Sequence, residues 1–425
     1  MTLLTSSISE RILAAVDESF DQQLEFTAEL VSHPSLRTEE LSAQKFLYDA
    51  MEVRGFTMDR WEIDPAQIRH HEGFSPVAVS YENVVNVVGT FEPGVNKGRS
   101  LILNGHVDVV PTGPEHTWVR SPWNAPVIDG WMYGRGSADM KAGLVANLFA
   151  YDAIRAAGLV PAATIYFQSV VEEECTGNGA LSAFLRGYTA DAVLIPEPEE
   201  NMLVRANVGV VWFKVRVEGR PTHPREMSSG LNAIDGAYAV MRDLRGLQDR
   251  WNAEKRNHRH FETLQQPINF NFGKIQGGDW PSSVPAWCEF DVRVSFYPGI
   301  SADTAWAGIE ECLDASRQSA GMSGFTCEAE RTGFYAEGYV LEAGTEAEGV
   351  LAASHEQAFG SALESFVTPG YLDGRVFSLY GAIPTLVYGP VSENIHAFDE
   401  RVLVESVRNV TKTIALFIAD WCGVE

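Results

Sequence analysis

A short apolar run that ends in a histidine and an aspartate constrains the fold of this 425-residue chain more than any other stretch. Residues 100–106 predict a buried strand, and His106 and Asp108 stand at its end with strand spacing, so that both side chains share one face. A carboxylate two residues from an imidazole is typical of a metal ligand and the group that orients it. Taken alone, two polar residues at a strand end that faces water are the simpler explanation.

The segments around this run have the pattern of an α/β domain. Helical spacing of apolar residues and near-continuous apolar strands alternate along the chain, with helices over 7–31 and 39–53 and strands over 83–89, 163–171 and 191–195. This alternation predicts a largely parallel sheet covered by helices. Ligands of such sheets bind beyond the carboxyl ends of the strands, which is where the histidine and acidic residues cluster.

The pattern changes after about residue 207. The next elements follow a β-α-β-β-α-β order, which is the ferredoxin-like arrangement: strand 210–218, helix 232–251, strands 267–276 and 286–296, helix 302–319 and strand 324–331. We therefore expect two domains. Residues 1–208 and 334–425 form the catalytic, metal-binding domain, and residues 209–333 form an inserted domain.

Charge and cysteine content limit the partners and the compartment. The formal net charge is −25, with 57 acidic against 32 basic residues, and this balance disfavours nucleic acid and anionic membranes as partners. The five cysteines are scattered without a C-x-x-C pair, which favours a reducing cytoplasm. Neither a signal-like N-terminus nor an apolar run long enough to span a membrane is expected.

Four further acidic or histidine sites each have an ordinary structural explanation. Asp139 suits a helix N-cap, Glu172–Glu174 a solvated charge run, Glu197 a surface turn and His396 an ordinary loop. Each of them nevertheless follows an apolar strand or lies in a Gly-rich turn of the same domain. Two histidines, His106 and His396, together with three carboxylates from this set would suit a pair of zinc ions.

Five motifs resemble, in their order and in their residues, the metal-site motifs of the M20 metallopeptidases. This family includes acetylornithine deacetylase, succinyl-diaminopimelate desuccinylase, aminoacylase-1 and carboxypeptidase G2. The motifs are Asn104-Gly-His-Val-Asp108, Gly134-Arg-Gly-Ser-Ala-Asp-Met-Lys141, Glu172-Glu-Glu174, Ile195-Pro-Glu-Pro198 and Ser392-Glu-Asn-Ile-His396. The resemblance covers almost the whole chain. It implies a zinc-exopeptidase-like catalytic domain with an inserted ferredoxin-like α+β domain that serves as a dimerisation domain and lid.

The resemblance also implies the metal ligands. By position, Asp139 would bridge two divalent ions, His106 and Glu197 would complete one site, and Glu174 and His396 the other. Zinc is the expected metal, and cobalt or manganese suits the same ligands.

Three catalytic roles follow from the same resemblance. Asp108 would orient His106, and Glu173 would be the general base that moves a proton from water to the leaving nitrogen. His223, in the inserted domain, would reach the active site of the other subunit of a homodimer and stabilise the oxyanion. An exposed strand edge of that domain would supply the dimer contact.

Substrate contacts are the least constrained part of the sequence. Arg375 and Arg293 are candidates to grip a substrate carboxylate, although ordinary salt bridges also explain them. Tyr371 and Leu372 stand where the desuccinylase branch has small polar residues, and Ser392 stands near the last histidine where asparagine is common. These departures indicate a less polar, aromatic substrate rather than succinyl-diaminopimelate.

We therefore expect a metal-dependent hydrolase that cleaves an amide C–N bond of a small carboxylate-bearing molecule, foremost an N-acyl amino acid. One alternative is hydrolytic removal of an amine or formyl group from an aromatic or heteroaromatic substrate, and another is a dipeptidase or carboxypeptidase. A non-catalytic binding protein on the same scaffold is the competing class.

Overall fold

The computed structural model describes residues 6–425. Its α-helices are α1 (Ser6–Ser32), α2 (Leu41–Val53), α3 (Pro65–Ile68), α4 (Ala142–Ala156), α5 (Asn178–Leu185), α6 (Ala233–Ala253), α7 (Ala302–Arg317), α8 (Glu346–Phe359) and α9 (Val404–Cys422). Within this described range, none of the helices has both the length and the apolar character that a bilayer crossing requires.

The strands are short in the first part of the chain and longer in its middle. They are β1 (Thr57–Glu62), β2 (Val85–Phe91), β3 (Leu101–His106), β4 (Val127–Ile128), β5 (Trp131–Tyr133), β6 (Ile165–Val170), β7 (Ala192–Ile195), β8 (Leu203–Asn207), β9 (Gly209–Glu218), β10 (Phe270–Gly277), β11 (Trp287–Phe296), β12 (Thr326–Ala336), β13 (Ser365–Thr368), β14 (Thr385–Val387), β15 (Ser392–Glu393) and β16 (Arg401–Leu403).

A six-stranded sheet in the order β1-β2-β6-β3-β7-β14 forms the centre of the molecule. β6, β3, β7 and β14 run parallel; at one edge β2 pairs antiparallel with β6, and β1 pairs antiparallel with β2. Every residue of β3 and β7 is buried, which explains their near-continuous apolar sequence. The sequence prediction of a largely parallel α/β sheet is confirmed.

The inserted segment forms a four-stranded antiparallel sheet in the order β10-β11-β9-β12, with α6 and α7 packed against it. The chain order of these elements is the predicted ferredoxin-like one. β9 alternates buried and half-buried residues, as expected of a sheet covered on one face. These elements have an apolar core of their own, separate from the core around the central sheet.

Several short elements were missed by the sequence analysis. The segment 112–133, for which no regular element is predicted above, contains β4 and β5, which join β15 and β16 in a small sheet. β8 pairs with β13 in a two-stranded parallel ladder. These strands have only two to five residues, so their local sequence carries little periodicity, and the pairs β5–β16 and β8–β13 join segments far apart in the chain.

Candidate metal centre

The histidine and acidic residues of the five motifs meet at the carboxyl edge of the central sheet. His106 is the last residue of β3, Glu173 and Glu174 follow β6, and Glu197 follows β7. These three strands are neighbours and run parallel, so their carboxyl ends lie side by side at one edge of the sheet. Asp139 lies in the turn before α4, and a loop between β15 and β16 brings in His396.

Asp139 lies between the two histidines. One of its carboxylate oxygens, Oδ1, is 3.2 Å from His106 Nε2, and the other, Oδ2, is 3.2 Å from His396 Nε2. Glu197 Oε1 is 3.6 Å from His106 Nε2, and Glu174 Oε2 is 3.2 Å from His396 Nε2. Each histidine therefore faces one oxygen of the shared aspartate and one further carboxylate.

Asp108 and Glu173 stand beside this cluster. His106 Nδ1 lies 2.9 Å from the backbone carbonyl oxygen of Asp108 and 3.6 Å from its carboxylate, so the ring is held from the side opposite Nε2. Asp108 Oδ2 also accepts the backbone N–H of Glu174 at 3.2 Å. Glu173 is buried, with Oε2 3.9 Å from His106 Nε2.

A buried glutamate that the sequence analysis missed holds the turn of Asp139. One Glu400 oxygen accepts the backbone N–H groups of Ala138 and Asp139, each at 3.1 Å. Its other oxygen pairs with the guanidinium of Arg135, and both side chains are almost fully buried. The available signal was Arg135 itself, because a charged residue inside a buried Gly-rich turn requires a counter-charge.

Glu172 belongs to the scaffold that supports its two acidic neighbours. Its side chain is fully buried and pairs with both Nε and Nη2 of Arg37, at 2.5 and 2.8 Å. The hydroxyl groups of Tyr81 and Thr176 donate to the same carboxylate at 2.5 and 2.8 Å. Glu172 has φ +67°, a left-handed conformation uncommon for a residue with a Cβ, and this network holds it there.

The charges of the cluster fit a group of cations. Within residues 6–425, no lysine or arginine forms an ion pair with Asp139, Glu174 or Glu197. Glu197 Oε1 is buried without a hydrogen-bond donor from the described chain, and burial raises the pKa of Glu197 to about 7. The charge of Glu174 is the main cause that raises the pKa of His396 to about 11.

Ligand atoms of three of these residues already lie close enough to share one ion. The atoms from His106, Asp139 and Glu174 are all within 4.8 Å of one another. Imidazole nitrogen and carboxylate oxygen together suit zinc and similar divalent ions. The donor set, and the absence of lysine or arginine partners for these carboxylates within residues 6–425, therefore fit bound metal.

A cavity of about 700 Å³ opens next to the cluster, between the central sheet and the inserted sheet. Asp139, Glu173 and Glu174 line one end of it. The remaining wall includes three aromatic side chains from different elements, Trp212, Phe334 and Tyr371. Of these three residues only Tyr371 stands out in the sequence, as a departure from the desuccinylase pattern.

The two candidate substrate arginines occupy different environments. Arg293 lines the cavity, where its Nη2 donates to the carbonyl of Pro369 at 3.2 Å and burial lowers its pKa to about 10. No carboxylate of residues 6–425 forms an ion pair with it. Arg375 is fully buried outside the cavity lining, and its Nη2 donates to Gly73 O at 2.7 Å. Its other guanidinium nitrogens donate to the hydroxyls of Tyr371 and Tyr380, and its role as a grip for substrate stays a prediction.

His223 lies away from this cluster in the same chain. It is exposed and precedes the turn Pro224–Ser229, and its Nδ1 accepts the backbone N–H of Arg225 at 3.2 Å. It is not among the residues that line the cavity. A single copy of the chain does not bring His223 to the cluster.

An α/β sheet whose strand ends carry a histidine and carboxylate cluster, facing a ferredoxin-like insert across a cavity, defines the zinc-exopeptidase-like class of hydrolases. Residues 102–420 match the family model described as peptidase family M20/M25/M40. The chain belongs to this family, and it is an M20-type hydrolase that acts on amide C–N bonds.

Relatives of known activity cover different shares of the chain. It is 28% identical over 440 residues to the N-formyl-4-amino-5-aminomethyl-2-methylpyrimidine deformylase of Halalkalibacterium halodurans, covering 98% of each protein. It is 32% identical over 237 residues to acetylornithine deacetylase of Yersinia pseudotuberculosis, covering 56% of this chain and 59% of that enzyme. Among solved structures, the yeast dipeptidase Dug1p matches with a TM-score of 0.77 at 15% identity, over 97% of this chain and 98% of that one.

Proposed function

We propose that the chain is a two-metal deacylase that hydrolyses the amide bond of a small N-acyl compound. The observation that carries the proposal is the position of Asp139, whose two carboxylate oxygens each face a different histidine at 3.2 Å. A carboxylate in that position is suited to bridging two cations. The family membership supports the same reading.

The proposed ligands are divided between two sites. His106 and Glu197 would hold one ion, Glu174 and His396 the other, and Asp139 would contact both. Zinc is the proposed metal because it favours imidazole nitrogen together with carboxylate oxygen. Divalent cations in such a site lower the pKa of water and polarise the scissile carbonyl.

Glu173 is the proposed general base. Its carboxylate is buried at the cavity end beside the ligands but forms no ion pair with lysine or arginine in the described chain, so it is free to exchange protons. It would accept a proton from the attacking water and transfer it to the nitrogen of the leaving amine. Asp108 would keep the ring of His106 in place through Nδ1.

We further propose a homodimer in which residues 209–333 form the contact and the lid. His223 is exposed and lies outside the cavity of its own chain, which supports a role in the active site of a second copy. The edge strand β10 and helix α6 carry exposed Ile275 and Tyr238, apolar surface of the kind that interfaces bury. The five cysteines are unpaired, and this supports a cytoplasmic location.

An N-acyl amino acid is the first proposed substrate, because the Arg293 guanidinium in the cavity wall forms no ion pair within residues 6–425 and suits a carboxylate. A second candidate is an N-formyl amine attached to an aromatic or heteroaromatic ring. The aromatic side chains of the cavity favour it, as does the likeness to a pyrimidine deformylase over 98% of both chains.

The test is turnover by metal-reconstituted protein against matched N-acyl amino acids, N-formyl arylmethylamines and dipeptides, with products identified by mass. Release of a free acid and an amine from the first or second group supports deacylation. Cleavage of dipeptides alone would assign a dipeptidase, and no cleavage of any amide would refute the proposal.

A further inference from the structure

We propose that Glu199 selects substrates that carry a protonated nitrogen, such as an ammonium or an aminopyridinium group, in addition to the amide that is cleaved. The inference rests on the proposed function in one respect, that this cavity is where substrate binds. It concerns a part of the substrate that does not react.

Glu199 contributes a carboxylate to the wall of the cavity. It lies two residues beyond Glu197, in the loop that follows β7, and it lines the cavity together with Pro198. The residue is partly exposed, so a ligand in the cavity can reach its side chain. Glu199 is not among the five proposed metal ligands, and it therefore remains available for another partner.

Within residues 6–425, no cation pairs with the Glu199 carboxylate. The side chain accepts no hydrogen bond there, and the charged groups that act on it are three further carboxylates, those of Glu197, Asp139 and Glu200. The proposed metal ions would offset the charges of Asp139 and Glu197, which are their ligands. A carboxylate withdrawn from water without a cation is costly, and a protonated nitrogen on the ligand would reduce that cost.

A second acid of the cavity wall, Asp291, provides the contrast. It lies on β11 of the inserted sheet, and Lys274 and Lys214 stand directly opposite it on the two neighbouring strands. Opposite charges at such cross-strand positions attract each other. The chain itself therefore supplies positive charge beside Asp291, whereas beside Glu199 it supplies only further carboxylates.

The turn that carries Glu199 is fixed by backbone hydrogen bonds. The N–H of Glu199 donates to the carbonyl of Glu197, and the N–H of Met202 donates to the carbonyl of Glu199, both at 2.8 Å. The N–H of Asn201 donates to Gly389 O, also at 2.8 Å. A carboxylate on a backbone that is fixed before binding loses little entropy when a ligand arrives. Because Arg293 lies on the inserted sheet, the cavity presents a negative group on one wall and a positive group on the other.

Two pairs of inert probes test the proposal by calorimetric titration of metal-loaded wild-type protein. All are ketone analogues of N-acetyl amines, in which a methylene group replaces the amide nitrogen so that no amide bond can break. The aliphatic pair derives from Nα-acetylornithine and Nα-acetylnorleucine, which differ in a terminal ammonium against a methyl group of similar size. The aromatic pair derives from N-acetyl-3-(aminomethyl)pyridine with either an amino group, which makes the ring protonated at neutral pH, or a methyl group at the neighbouring ring carbon.

The charged probe is expected to bind about 10- to 100-fold more tightly than its methyl counterpart in at least one pair, because hydrogen bonds between charged groups are the strong ones. The pair that shows the preference identifies the source of the protonated nitrogen, which is a flexible aliphatic amine in the first pair and an aminoheteroaromatic ring in the second.

Two variants assign the preference to a residue. Glu199→Gln keeps the shape of the side chain without its charge, and it is expected to reduce the preference to less than about 3-fold. Asp291→Asn is the matched control, because it removes a negative charge from the same cavity, and it is expected to keep most of the preference. Both variants are expected to hold as many metal ions per chain as the wild type.

Three results would overturn the proposal. Equal affinity of wild-type protein for both members of each pair would refute recognition of a protonated nitrogen, and a preference that survives in Glu199→Gln would assign it to another group. Loss of a metal ion in Glu199→Gln would make Glu199 a metal ligand instead. Because binding is measured without turnover, a protein that prefers the charged probes but cleaves no amide would refute the deacylase function and leave this inference standing. Amide cleavage without the preference would do the reverse.

Discussion

The pair of Arg37 and Glu172 gives the sharpest structural prediction, because it supports the two acids that follow Glu172. Substituting Arg37 by methionine keeps much of the aliphatic volume but leaves a fully buried carboxylate without its guanidinium. Breaking a buried pair costs about 3–5 kcal/mol. Arg37 is 24% exposed, and the hydroxyls of Tyr81 and Thr176 continue to donate to Glu172, so we expect a smaller loss of about 2–3 kcal/mol.

The Arg37→Met substitution should also lower the catalytic rate, because it displaces the proposed base Glu173. Glu173 directly follows the left-handed residue Glu172, and a shift of that backbone moves the proposed base. A misplacement of about 1 Å costs up to 10²-fold in rate, so kcat is expected to fall about 10- to 100-fold. KM should change little, since neither Arg37 nor Glu172 lines the cavity.

The test is a double-mutant cycle. Wild type, Arg37→Met, Glu172→Gln and the double variant would be compared by urea unfolding and by steady-state kinetics. We expect a coupling free energy of about 1–2 kcal/mol, because Glu172→Gln removes the buried charge that Arg37→Met leaves unpaired. A loss below about 0.5 kcal/mol in Arg37→Met, with unchanged kcat, would refute the role assigned to this network.

Three further outcomes are expected. Glu173→Gln should lower kcat about 10²- to 10⁴-fold in the deacylation assay while its metal content stays at the wild-type level, and substantial residual turnover would exclude it as the base. His223→Ala subunits mixed with Glu173→Gln subunits should recover about a quarter of wild-type activity if His223 acts in the partner's site, and no recovery would rule that out. Added zinc at about 100 times its Kd should stabilise the metal-depleted protein by about 2.7 kcal/mol for each ion bound in thermal or urea unfolding, and Asp139→Asn should lose most of this gain.

Long and strongly patterned elements were predictable from the sequence. The apolar strand β3, the alternating strand β9 and the amphipathic helix α6 carry their periodicity within their own residues. The α/β sheet and the ferredoxin-like insert followed from the order of such elements. Strands of two or three residues such as β4 and β15 are too short to show a period of two, and the one local signal, the Asp129-Gly130 turn that joins β4 to β5 in a hairpin, was missed.

In the candidate site, too, some residues could be predicted from the sequence and others could not. The order of five motifs was enough to name the residues that the structure brings together around Asp139, because each follows a recognisable strand or turn. The environment of Arg375 could not be predicted from the sequence, because its contacts with Tyr371, Tyr380 and Gly73 depend on how three segments pack. Glu400 was missed for the same reason.

Metal content per chain is the most direct test of the central claim, that His106, Asp139, Glu174, Glu197 and His396 hold a pair of divalent cations. Wild-type protein and Glu173→Gln would be loaded with zinc, freed of excess ion by gel filtration and assayed by mass spectrometry of the elements. The account predicts about two ions per chain in both proteins, and deacylation in the wild type alone. Less than one ion per chain in carefully loaded wild-type protein would contradict it.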